Sequence, residues 1–111
     1  MKTYTGATGY VYQYYFVGKR PASDTGATEF IFDVTSDRKT TFAASVFLRH
    51  EALDAWAHEH GRQLTETEQY AAAKMRLLHG FDEIESMIQN GRRLVIGQEN
   101  IEEVLEPLGI G

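Results

Sequence analysis

The 111-residue chain has no cysteine, two prolines and one tryptophan. Without thiols there is no disulfide scaffold, no thiolate metal site and no cysteine nucleophile. No apolar run approaches the ~18 residues that a membrane-spanning helix requires. The opening Met1-Lys2-Thr3-Tyr4-Thr5-Gly6 is polar and has no signal-peptide core, so a cytoplasmic location is expected. There is no Gly-x-Gly-x-x-Gly and no Gly-Lys-Ser/Thr to cradle a phosphate between strand and helix.

What is present is ordinary globular composition, 42% hydrophobic and 24% charged, far from the polar profile of a disordered chain. Residues 1–111 are expected to form a single α+β domain. A chain of this length removes roughly two-thirds of its unfolded surface from water on folding, enough for one modest core.

The first half steps in twos. Tyr10 to Val17 is aromatic and β-branched between two glycines, the pattern of a strand. The turn formers from Gly18 to Gly26 predict a loop of about nine residues, followed by strands over 29–35 and 40–48. At His50 the period becomes helical. Leu53, Trp56, Ala57 and His60 share a stripe, and Gly61 offers a left-handed C-terminal position. Thr65 and Glu68 form a capping-box pattern. Tyr70, Ala73, Leu77, Phe81, Ile84 and Ile88 then recur every three or four residues. Either one helix of about 24 residues tolerates Gly80 at a cost of ~1 kcal/mol, or Gly80 divides two helices with Asp82 as a new N-cap. The unbroken phase favours the first. Arg92 to Gly97 reads as a fourth strand, and Asn100 as the N-cap of a last helix ended by Pro107. Strands grouped before helices predict an α+β fold, a three- to four-stranded antiparallel N-terminal meander packed on helices from the C-terminal half.

Parity sorts the strand residues. The even set, Tyr10, Tyr12, Tyr14, Phe16, Phe30, Phe32, Val34, Phe42, Ala44, Val46 and Leu48, is wholly apolar or aromatic and predicts the floor beneath the helices. The odd set mixes Gln13, Asp33, Ser45 and Arg49 with Val11, Tyr15, Val17, Ile31 and Phe47. These last five would form an exposed apolar patch, which soluble monomers rarely keep bare. Candidate covers are the tail from Leu94 to Leu108 folding back, a second copy in a two-fold dimer, or another protein. A β-bulge would shift the parity.

His50, Asp54 and His58, spaced i, i+4, i+8, line one side of a helix and are the candidate metal ligands. Asp54 stands where the second histidine of His-Glu-x-x-His belongs, so the zinc-protease signature is not met. The plainer reading, favoured over metal binding, is a solvated face on which Asp54 pairs loosely with its histidine neighbours. No Gly-x-Ser-x-Gly elbow or other nucleophile constellation occurs, so no catalytic residue is assigned and no cofactor is called for. Tyr12, Tyr14, Tyr15, Arg20 and Arg49 are the candidate contacts for a single-stranded nucleic acid. The charge opposes that reading: residues 1–50 hold six basic and four acidic side chains, residues 51–111 five and twelve. Lys19-Arg20 and Arg38-Lys39 fall at opposite ends of the sheet, and phosphate neutralisation dominates such binding.

The resulting expectation is a small adaptor or regulatory protein without a catalytic signature. It would self-associate as a homodimer, or bind another protein, through Val11, Tyr15, Val17, Ile31 and Phe47. The alternatives are a metal-dependent enzyme using the His/Asp helix face and a single-stranded nucleic-acid binder. No membrane partner is expected.

Overall fold

The computed structural model describes residues 1–22 and 26–110. Five strands, β1 (Lys2–Thr5), β2 (Val11–Pro21), β3 (Ala27–Thr35), β4 (Phe42–Arg49) and β5 (Arg93–Ile96), lie in chain order in one sheet. The first four pair antiparallel, as a meander with short connections must. Helices α1 (His50–His60), α2 (Glu66–Glu83) and α3 (Met87–Asn90) separate β4 from β5. That crossover carries the chain back to the start of β4, so β5 pairs parallel to it. Helix α4 (Ile101–Leu105) and a 3-10 turn, Glu106–Leu108, follow. The fold is α+β, as the segregation of strands before helices implies.

The helices pack on the even-numbered face. Tyr12, Tyr14, Phe30, Phe32, Val34, Phe42, Ala44, Val46 and Leu48 join Trp56, Leu77 and Phe81 in one core. Phe81 stacks on Tyr12, ring centroids 4.2 Å apart and planes within 8°. Two members of the even set depart from the expectation. Tyr10 precedes β2 and is 50% exposed, and Phe16 lies at the core's margin with its edge against Tyr70, 4.9 Å between centroids. The tail does not fold over the odd face. Leu94, Ile96, Ile101, Val104 and Leu105 enter the same core as the even set, because β5 extends the sheet and α4 packs beside α2.

Four local readings change. Strand β1 is additional to the expected strands: Lys2-Thr3-Tyr4-Thr5 is too short and polar to show alternation, and it forms by pairing with residues 11–14 of β2. The loop expected from Gly18 starts later, since β2 continues to Pro21 opposite Thr28; positions 23–25 of that loop lie outside the described residues. Helix α2 passes through Gly80 but stops at Glu83, where Ile84 turns extended (φ −106°, ψ 116°). Met87 on the separate α3 then reaches the core, leaving Ile88 45% exposed instead of continuing the stripe. A Cβ on Gly80 would stand 3.0 Å from Leu94 Cδ1 and 3.5 Å from Met87 Sδ, so the glycine lets β5 and α3 pack closely on the helix. Asn100 precedes α4 but does not cap it. Its side chain accepts from the Gly97 N–H at 2.9 Å and donates to the Val95 carbonyl at 3.0 Å.

The helix-terminus chemistry at Gly61 and Thr65 matches the reading. Gly61 takes the left-handed conformation (φ 72°). The Glu68 N–H donates to Thr65 Oγ1 at 3.1 Å, and the Thr65 N–H to Glu68 Oε1 at 2.9 Å. Among the described residues no helix is long and apolar enough to cross a membrane.

Candidate interaction surface

The odd-numbered face of the sheet is built by registration. Opposite residues share a face, so the pairing sets Arg20, Glu29, Phe47 and Val95 in one row across β2 to β5, and Ile31, Ser45 and Arg93 in the next. Tyr15 pairs with Asp33 and Ala43 lies beyond it.

Parity is interrupted once. Val17 has no partner, because the register shifts between Phe16 and Gly18. This bulge turns Lys19 toward the helix face, where its ammonium lies 5.9 Å from the centre of the Phe30 ring, and turns Arg20 outward beside Glu29. Val17 itself stays 51% exposed.

The five residues expected at the interface divide. Val11 and Tyr15 are 47% and 46% exposed, like Val17, and Ile31 is half-buried. Phe47 is buried: the Arg93 guanidinium lies 4.5 Å from its ring centre. Val95 and Arg93 belong to this face and were missed, since nothing in a four-residue strand announces which neighbour it will pair with.

The charges on this face are largely paired within it. Arg20 Nε donates to Glu29 Oε1 at 2.9 Å and Ser45 Oγ to Glu29 Oε2 at 2.7 Å. The Ser45 hydroxyl first, then Arg20, holds the Glu29 carboxyl below its ordinary range. Arg49 Nε pairs with Glu51 Oε1 at 2.9 Å. The Tyr15 hydroxyl is raised above its ordinary range by its hydrogen bond to Asp33.

Of the nucleic-acid contact set, Tyr12 and Tyr14 are 2% and 4% exposed, on the helix side. They cannot offer a face to a base. Tyr15, Arg20 and Arg49 remain on the outer side, the two arginines already bonded to carboxylates.

The histidine face is placed as follows. His50 Nε2 lies 3.1 Å from Thr28 Oγ1, and His50 and Asp54 line a shallow cavity of about 150 Å³ with Leu53, Gln63, Leu64 and Gln69. His58 is exposed and is not among the cavity's lining residues. Among the described residues, the ligand atoms that lie within 4.8 Å of one another are those of Glu59, His60 and Glu102. His60 Nε2 contacts Glu102 Oε1 at 2.6 Å while its ring stacks on Trp56, 4.3 Å between centroids. This contact ties α1 to α4 across 42 positions of sequence, a separation no spacing rule reaches.

Comparison of the chain with the models of known protein families, with curated proteins and with solved structures gives no match.

Proposed function

We propose that this protein is a binding module that self-associates through the outer face of its sheet. One observation carries the reading: all the core-forming helices pack on one face, while Val11, Tyr15, Val17 and Val95 remain 47%, 46%, 51% and 39% exposed on the other. An apolar patch rimmed by polar groups is the usual mark of a protein contact. The internal pairing of Arg20 with Glu29 and Arg49 with Glu51 presents a nearly neutral surface. Such a surface suits a second copy of itself in a two-fold arrangement better than a polyanion.

Sedimentation equilibrium over a micromolar concentration series tests this. The wild-type chain is expected to dimerise, and Val17→Glu, which places a charge at the bulge, to stay monomeric with an unchanged circular dichroism spectrum. A wild type that remains monomeric across the series overturns the reading.

A further inference from the structure

The C-terminal end of α1 and the first turn of α4 bring three metal-ligating side chains together. One ligand atom each from Glu59, His60 and Glu102 lies within 4.8 Å of the other two. Glu59 and His60 leave α1 about 100° apart, so adjacency in sequence does not join their tips; both turn toward Glu102. The His60 ring stacks on Trp56, 4.3 Å between centroids and 18° between planes, and Trp56 is 1% exposed. The buried indole thus fixes the imidazole plane with Nε2 aimed at Glu102 Oε1, 2.6 Å away. His60 is half-buried, and both carboxylates are open to solvent.

The charge at this point is unbalanced. A single imidazole neutralises at most one of the two carboxylates, and like charges this close oppose each other unless a cation joins them. Among the described residues, His60 pairs with Glu102, and no ion pair includes Glu59. Arg62 lies 5.1 Å from the Trp56 ring centre, but both its terminal nitrogens donate to Glu68 at 2.9 Å. The C-terminal carbonyls of α1 add partial negative charge. An open hollow of about 500 Å³, lined by Glu102, Glu103, Glu106, Gly109 and Ile110, gives a cation an acidic approach.

We propose that Glu59, His60 and Glu102 bind a borderline divalent cation of the Zn²⁺ class, which clips α4 to the end of α1. One imidazole nitrogen with two carboxylate oxygens is a Zn²⁺ donor set, with a fourth position left for water; Mg²⁺ and Ca²⁺ take oxygen ligands. Around a tetrahedral Zn²⁺ with bonds of about 2.0–2.2 Å, neighbouring ligand atoms stand about 3.4 Å apart, so side-chain shifts of about 1 Å close the site. The cation takes the place of the proton between His60 Nε2 and Glu102 Oε1, and that proton is released. Both helices lie in the helix layer, so the site does not depend on self-association through the outer face of the sheet.

Calorimetric titration of the untagged, metal-stripped chain with ZnCl₂ tests the assignment, with MgCl₂ as the oxygen-seeking control and two buffers of different ionisation enthalpy to count released protons. One Zn²⁺ per chain is expected, with proton release and with Mg²⁺ bound far more weakly. Glu59→Gln, His60→Ala and Glu102→Gln are each expected to weaken Zn²⁺ binding roughly tenfold or more, and His58→Ala to bind as the wild type. Glu59→Gln, at an exposed position, is expected to keep the metal-free melting temperature and carries the test if His60→Ala fails to fold. Absence of saturable Zn²⁺ binding, equal binding of Mg²⁺, undiminished binding by Glu59→Gln, or loss of binding in His58→Ala each overturns the proposal.

Discussion

Gly6 shows how little room a single position can leave. It is buried in the turn between β1 and β2, and a Cβ there would run into the Phe81 carbonyl on α2. Around it, the Tyr4 hydroxyl donates to both Asp82 carboxylate oxygens at 2.9 and 2.8 Å, and the Ala7 N–H donates to Asp82 Oδ1 at 3.0 Å. The turn is thus clasped onto the end of α2. Gly6→Ala is expected to lower stability by about 1–3 kcal/mol, the usual cost of forcing an atom into a packed contact, read from urea midpoints. Glu68 makes a second residue-scale case. Both its oxygens accept from Arg62 at 2.9 Å, and this pairing first, then the Thr65 N–H, holds its carboxyl down from 4.5 to about 2. A depressed folded-state value means stability present above pH 4.5 and lost as the pH falls toward 2. Glu68→Gln is expected to flatten the stability curve in that window and leave its shape above pH 5 unchanged, a comparison that acid titration by circular dichroism makes directly.

At the scale of elements, α2 is the organiser. Its buried stripe, Ala73, Leu77, Gly80 and Phe81, faces β4, β5 and the aromatic residues of β2, and Phe81 contacts the Tyr4, Tyr12 and Tyr14 rings. Phe81→Ala leaves a cavity at the junction of helix and sheet and is expected to cost about 3–5 kcal/mol in denaturant unfolding. The existence of this helix was legible, because a capping box and a 3.6-residue period are local chemistry. Its end was not. The apolar phase continues past Glu83 to Ile88, yet the helix breaks at the extended Ile84 and Met87, on the separate α3, takes the core position. Strand β1 was illegible for a related reason: Lys2–Thr5 has no pattern of its own and becomes a strand only where β2 offers a free edge.

On the scale of the whole molecule, the sheet is covered on one side only. Truncations should report that asymmetry. Leu48→Ala, on the helix side and fully buried, is expected to cost about 2–5 kcal/mol. Val11→Thr, on the outer side, is expected to change the stability of the dilute monomer by no more than about 0.5 kcal/mol while weakening dimerisation. Thermal unfolding at submicromolar concentration, set beside sedimentation at high concentration, separates the two. Equal destabilisation by both substitutions would mean that the outer face is part of the folded core.

Several features of this protein follow from sequence alone: the α+β class, the apolar helix-side face of the sheet, the capping box at Thr65 and the left-handed turn at Gly61. Each depends on neighbours within a few residues, where backbone periodicity and terminal hydrogen bonds act. Tertiary structure decided the rest. It placed the tail against the same core as the helices, buried Phe47 beneath Arg93, and turned Lys19 and Arg20 to opposite faces through the bulge at Val17. These outcomes join residues dozens of positions apart. Which strand edge is free, and which face a helix leaves bare, is settled only when the whole chain competes for the same buried surface.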